Sequence, residues 1–468
     1  NGGGAGTFIV PSGALLSTRG GLFLPVPGFV DDQSETRYGD PVLPGAGFNG
    51  GHTFQSRLRV RAPDAFIVNS VGTRTLLERA DGYTTVYWQS DEPVGAINLI
   101  AGRWQVAERE GVSVHFLPAH TRNVNEMLAT MQAARTRFSQ WFMPYPWPEL
   151  RLSEYPDLET NATAFPSNIS FSEGIGFLTG GPPEDALAFS VVAHEVAHQW
   201  WGHLVAAGEG PGTGWLVEGM ANYATLLLHD AEHGSEARAR FARQLEQNYL
   251  DQRAVREERP LLATLEGAPG DEAVLAHRGA LVLWMLRQSL GAPAMEDALR
   301  RYVTEHRDPQ RQGTPAELLA TLRQAATAPL AFDDLVREWL AGTALPEYQL
   351  SAPPVVGSGG SWRTVIEVRN VGTGSPAVDV VMVAAAPAGG GLPASATRRV
   401  VVGPGQKVRL VLDTPFAPER VTVDPDVHVL QLNRDRARLE LTGIPRLGAG
   451  LDQGLDARRG APGRPGPY

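Results

Sequence analysis

From His52 to about Glu110, apolar and polar residues alternate in the runs "FQSRLRVRAP", "GYTTVYWQS" and "GAINLIAGRWQVAE", separated by turn residues. A period of two turns one side of each run toward a core, so the region reads as β-structure. Residues 1 to about 50, rich in Gly and Pro with short apolar bursts such as "GLFLPVPGF", predict loops and edge strands. Near Thr121 the period lengthens. "NVNEMLATMQAARTRFSQWF" places Met127, Met131, Ala134 and Phe138 on one helical face, and the prolines of "MPYPWPE" end it. A short strand ("LRLSEYP") then precedes helices from Glu184 to about Ala341. Among them "TPAELLATL" predicts a capped start: Thr314 as N-cap, Pro315 as first helical residue and Glu317 as the reciprocal partner.

Beyond Tyr348 the alternation returns. "SWRTVIEVRN" sets Trp362, Thr364, Ile366 and Val368 against Arg363, Glu367 and Arg369. "AVDVVMVAA", "RRVVVGPGQKVRLVLDT" and "RVTVDP" follow at turn-separated spacing, the pattern of a small antiparallel β-sandwich. The tail from about Thr442 is too rich in Gly, Pro and Arg to pack and predicts disorder or a linker. The expected domains are 1–110 (β-rich, its beginning missing), 111–345 (mostly helical), 346–440 (β-sandwich) and 441–468 (disordered tail).

At 468 residues the chain exceeds one compact core, which agrees with several domains. Its 43% hydrophobic and 20% charged residues are those of a soluble globular protein. A net charge of −10 argues against nucleic acid or an anionic membrane surface as partner. With no cysteine, disulfides, thiol catalysis and zinc–thiolate sites are excluded, and any metal must be held by His, Asp or Glu. No run of about 18 apolar residues marks a transmembrane helix. The chain starts at Asn1 with no signal-peptide pattern, and so reads as a processed product or an excised part of something longer.

Candidate chemistry lies in "SVVAHEVAHQWW" (190–201). On a helix His194 and His198 project from one face, which Leu187, Val191 and Trp201 extend, so both imidazoles are expected to point inward. Glu195 lies about 100° around the helix. It is ill placed as a third ligand and well placed to reach a metal-bound water, which is the logic of H-E-x-x-H. The second part is "GTGWLVEGMANYATLLLHD", where Glu218 stands among Trp215, Leu216, Val217, Met220 and Ala221. A buried carboxylate needs a cation, and zinc already held by two histidines supplies one. The competing reading is a solvated glutamate on a surface helix. His203 falls off the ligand face and is expected to be solvated.

These strings, "HEVAHQWWGHLV" and "WLVEGMANYA" with "FMPYPWPELRLSEYPD" ahead of them, resemble the gluzincin zinc metallopeptidases of the aminopeptidase N type. The resemblance covers about 50 to 435. It implies an α+β multidomain fold: a β-saddle-like N-terminal domain, a thermolysin-like mostly helical catalytic domain and a C-terminal immunoglobulin-like β-sandwich. "TAFPSNISFSEGIGF" looks most like bacterial members whose peptidase-like domain is attached to a membrane transport permease. By position the resemblance implies His194, His198 and Glu218 as ligands of one Zn²⁺ per chain, Glu195 as general base and a peptide as substrate. It further implies a permease partner or fusion and an extracytoplasmic, periplasmic or membrane-tethered, setting. The sequence sets no oligomeric state.

The chain departs from the family at three points. Nineteen residues separate His198 from Glu218, one more than the family pattern, and the Gly-rich "AAGEGPGTG" can absorb it. Ala164 replaces the glutamate that grips a substrate's free amino terminus, and Ala276 replaces the tyrosine that stabilises the oxyanion. His277, Arg278 and Thr163 are the remaining candidates for substrate or oxyanion contacts. Of these, Arg278 keeps the family's cation, and His277, about 100° around the helix from position 276, reads otherwise as a surface histidine. Two functions are therefore expected to compete: a zinc peptidase that is not a typical aminopeptidase, and a zinc-binding, catalytically weak module serving binding or a transporter. A purely structural zinc is the third reading.

Overall fold

The computed structural model describes residues 8–17, 53–158, 162–178, 187–265, 267–308, 311–352, 355–358, 360–387, 392–442 and 446–447. The chain divides into two compact units, Asn1–Thr343 and Ala344–Tyr468. The expected disordered tail and the "GLFLPVPGF" segment lie outside the described residues, save for a few positions at the start of the tail.

The first unit begins with β-structure, as the alternation implies. A four-stranded sheet runs in the order Phe8–Val10, Gly13–Ser17, Asn98–Gly102, Ile67–Ser70. A three-stranded one runs Arg57–Pro63, Tyr83–Gln89, Thr73–Ala80. Val68, Val86, Trp88 and Ala101 pack together in their core. A third sheet, of five strands, runs Ala162–Phe165, Asn168–Ser172, Leu150–Tyr155, Val112–Phe116, Gln105–Arg109. Its central strand Leu150–Tyr155 is parallel to both neighbours and buried along its whole length. The strand Gln105–Arg109 belongs to this sheet through a hairpin at Glu110 and Gly111, both with positive φ. An expected domain boundary at 110 therefore falls inside a hairpin.

Seven helices are described: α1 (Val124–Trp141), α2 (Leu187–Ala197), α3 (Glu218–Gln252), α4 (Gly279–Leu290), α5 (Ala292–His306), α6 (Pro315–Ala325) and α7 (Pro329–Trp339). On α1 the predicted face of Met127, Met131, Ala134 and Phe138 is wholly buried. The capping box of α6 forms as expected, Thr314 accepting from the Glu317 amide while the Glu317 carboxylate accepts from the Thr314 amide. Among the described residues no helix is long and apolar enough to cross a membrane.

The second unit carries one sheet with strands Tyr348–Ser351, Ser361–Asn370, Val355–Ser358 and Arg446–Leu447, with Lys407–Thr414 also paired to Ser361–Asn370. The other runs Ser395–Val401, Ala377–Ala384, Pro418–Val423, Arg438–Glu440. Thr364, Ile366 and Val368 are buried at alternate positions, as the period of two requires. The whole is a mixed α+β, multidomain architecture.

Candidate metal centre

Helix α2 is held from behind by aromatic packing. Phe138 and Phe142, at the end of α1, meet Trp200 and Trp201 edge-on at 5.7 and 5.3 Å between ring centroids. Trp200 also donates its indole N–H to the Met143 carbonyl at 2.8 Å. Such contacts add about 0.5–1.5 kcal/mol per pair beyond area burial. They fix the chain where His198 follows the last residue of α2, still bonded from its amide to the His194 carbonyl at 3.2 Å.

The face that carries the histidines differs from the expectation. Leu187 is exposed, and Val191 and His194 are half-buried, while Ala188, Phe189, Val192, Ala193 and Val196 fill the core. His194 therefore opens toward solvent, with 20% of its side chain accessible, and only His198 is deeply buried. Glu218 is likewise half-open, with 28% of its side chain accessible, so its need for a cation comes from its neighbours and not from complete burial.

Those neighbours are acceptors. Asn222 donates its amide N–H to the Ala276 carbonyl at 3.3 Å, so its Oδ1 faces His194 Nδ1 at 3.1 Å and must accept a hydrogen bond there. His198 Nδ1 donates to the Trp201 carbonyl at 3.1 Å. With both Nδ1 atoms donating, the neutral rings present Nε2 lone pairs, 3.0 Å from one another. The Glu218 carboxylate stands 3.3 Å from His194 Nε2 and 3.7 Å from His198 Nε2. Three acceptors thus converge. Ligands about 2.0–2.1 Å from a tetrahedral ion stand about 3.3–3.4 Å apart, so the donor set fits Zn²⁺ in chemistry and spacing. Burial works against protonating His194, but the hydrogen bond and charge of Glu218, helped by Glu195, outweigh it and push its pKa up to about 9. A proton and a metal would compete for that nitrogen. Glu195 is buried, and one of its carboxylate oxygens lies within 4.8 Å of a ring nitrogen of each histidine.

Asn222, four residues after Glu218, is the residue that the sequence reading missed. It fixes the His194 tautomer, and its signal was the shared helical face of positions 218 and 222.

A segment after α3 packs back against the start of that helix. Ala273–Arg278 forms a π-helical turn running into α4. It presses on the start of α3 because Gly219 has no side chain: a methyl there would lie 2.4 Å from Trp215 Cδ1 and 2.7 Å from the Leu275 carbonyl oxygen. Ala276 is buried. His277 is not the surface histidine expected. It is half-buried, and burial first, then the charge of His194, lower its pKa to about 4 although Glu218 pulls the other way. Arg278 is fully buried, donating to the Tyr249 hydroxyl at 3.2 Å and the Trp339 carbonyl at 2.9 Å beside Glu258. These partners make it a tie between helices and remove it from the candidate substrate contacts.

On the edge strand Ala162–Phe165, Ala164 is buried and Thr163 half-buried. His203 is part-buried and donates Nε2–H to the Ala164 carbonyl at 3.1 Å, so the expected solvated histidine in fact ties the edge strand to the segment after α2. Gln199 does the same, donating to the Phe165 carbonyl at 3.1 Å and accepting from the Ser167 amide at 2.8 Å.

A second donor group, His120, Glu154 and Glu173, lies at the ends of the central strands. Glu154 accepts from the Leu117 amide and from His120, which accounts for it as a structural pair. A cavity of about 830 Å³ between α1, α2 and α3, lined by Ser190, His229 and His233, does not include His194, His198 or Glu218.

The peptidase family M1 domain model matches residues 125–339. Among curated relatives, aminopeptidase M1-B of Oryza sativa subsp. japonica is 27% identical over 213 residues, 43% of this chain and 23% of the relative. Aminopeptidase N of Lactobacillus delbrueckii subsp. lactis is 26% identical over 42% of this chain and 24% of its own. The chain thus spans less than a quarter of the length of these relatives. Among solved structures, an M1 zinc metallopeptidase of Deinococcus radiodurans aligns with a TM-score of 0.50 at 24% identity, covering 64% of this chain and 66% of that one. Legionella pneumophila aminopeptidase A, in complex with aspartic acid, aligns with 0.59 at 15% identity over 81% and 44%. These likenesses are of fold.

Proposed function

Since residues 125–339 form a peptidase family M1 domain of the aminopeptidase N type, we propose that the chain is a zinc-dependent peptidase with a rebuilt substrate side. His194, His198 and Glu218 would hold the ion, and the observation that carries this reading is their convergence as three acceptors with both Nδ1 protons already committed. A bound zinc supplies Lewis acidity toward a carbonyl and toward water. Glu195, beside the histidines, takes the proton of the attacking water and returns it to the leaving amine, a role worth about 10²–10⁴ in rate. Asn222 keeps His194 in the ligating tautomer throughout.

Ala164 and Ala276 offer neither an anchor for a free amino terminus nor a phenolic donor, so the substrate would be an internal bond or an unusual terminus. The thermolysin-like, saddle-like and immunoglobulin-like domain assignments, the permease partner and the extracytoplasmic setting belong to the same proposal. They rest on the sequence resemblance, and cell fractionation would test the setting.

The deciding experiment measures zinc content and hydrolysis of a peptide library by the protein and by Glu195→Gln. Zinc-dependent turnover that Glu195→Gln abolishes without losing metal supports the proposal. Full zinc occupancy with no turnover on any peptide leaves the binding module as the function.

A further inference from the structure

We propose that His277 is the hydrogen-bond donor to the negative charge that develops on the substrate's carbonyl oxygen. The proposal rests on the zinc-peptidase reading and assigns to one of its candidate contacts a specific catalytic role.

Three observations carry it. The first is placement. The Leu275 carbonyl oxygen is close enough to Gly219 to exclude any side chain there, and the next carbonyl, of Ala276, accepts from Asn222, whose other end holds His194. The backbone on the N-terminal side of His277 is thereby pinned to the helix that carries Glu218 and Asn222. The charged groups that act on the imidazole are His194 and Glu218 themselves.

The second is register. Ala273–Arg278 is a π turn, with more residues per turn than an α-helix and so a smaller rotation between neighbours. Positions 276 and 277 differ in bearing by less than the α-helical 100°. The next residue, Arg278, is committed to Tyr249 and Trp339, and Ala276 has no donor in its side chain. His277 is the polar side chain of this turn that is not committed to the surrounding helices.

The third is availability. Among the described residues neither ring nitrogen of His277 makes a hydrogen bond, and Nδ1 is buried without a partner. A half-buried imidazole with no protein partner is uncommon, because each unpaired polar group costs free energy. An oxygen arriving at the site would satisfy it at Nε2. An uncharged imidazole with its proton on Nε2 can donate a hydrogen bond without adding a like charge beside the metal. No bond to His277 forms or breaks; it donates to the oxyanion and keeps its proton.

The test compares zinc-loaded wild type, His277→Ala and His277→Gln by kcat, KM, zinc content and affinity for a phosphinic peptide, whose anionic tetrahedral group mimics the oxyanion. Loss of one such donor is expected to lower kcat by about 10²–10³. Phosphinate affinity should weaken in parallel, with KM and zinc content unchanged, and the Gln amide should restore part of both. Unchanged kcat and phosphinate affinity in His277→Ala would overturn the inference. So would loss of zinc from that variant, which would make His277 a ligand. If wild type turns over no peptide, the function proposal fails separately. The phosphinate arm then still decides for or against His277, absence of binding to the zinc-loaded protein counting against it.

Discussion

The two walls of the candidate site are built in different ways. The metal wall, α2 and the first turn of α3, is two regular helical faces whose donors are oriented by backbone and amide partners. The opposite side consists of an edge strand, Ala162–Phe165, packed against α2, and a π turn, Ala273–Arg278, packed against α3. The positions that the resemblance assigns to the anchor and the oxyanion donor are there the buried alanines 164 and 276. On the proposed function, metal binding and substrate handling would be separable in this fold, one wall keeping its donors while the other is rebuilt.

The largest effect is expected of Glu195→Gln, which removes the proposed base and spares the ligands. The expected result is a fall in kcat of about 10²–10⁴ with zinc retained, read by metal analysis and peptide hydrolysis. Next is Asn222→Ala. It frees His194 Nδ1 and is expected to cost about 10–100-fold in zinc affinity, read by competition with a chelator.

Gly219→Ala acts on the other wall. Its methyl would collide with Trp215 and the Leu275 carbonyl oxygen, pushing the π turn off α3 at a cost of about 1–3 kcal/mol. The melting temperature should fall. In protein that remains folded, kcat should drop more than zinc affinity does.

The smallest expected effect concerns the scaffold behind both walls. His115 is pushed down to about 3 by burial and the Arg151 charge, and His229 to about 3 by burial and the charge of His233. Unfolded, each takes up a proton below its ordinary 6.5, whereas folded it does so only near 3. Stability should therefore be full above about pH 6.5 and fall as the pH drops toward 3, by about 1.4 kcal/mol per unit for each histidine. Urea titrations at stepped pH would read this, and His229→Gln should flatten the slope.

The sequence made the metal wall legible because its donors repeat at helical spacing: His194 and His198 on one turn, Glu218 among apolar neighbours. The same rule foretold the buried face of α1 and the Thr314 cap. It misjudged what depends on partners distant in sequence. The α2 face that carries His194 opens toward solvent because the core lies behind Phe189 and Val192. His203 is bound because the edge strand passes it, and Arg278 is sequestered because Tyr249 and Trp339 arrive from elsewhere in the chain. His277 was legible as a candidate contact, but its burial was not, because no residue pattern announces the π turn that carries it.

The proposed combination, a working metal wall without an amino-terminal anchor, is decided by the ratio of kcat/KM for a free-amino peptide to that for its N-acetylated twin, measured on zinc-loaded protein. Without a carboxylate at position 164 the ratio should lie near one. A preference for the free amine of about 100-fold, the worth of a charge-assisted contact near 3 kcal/mol, would contradict it.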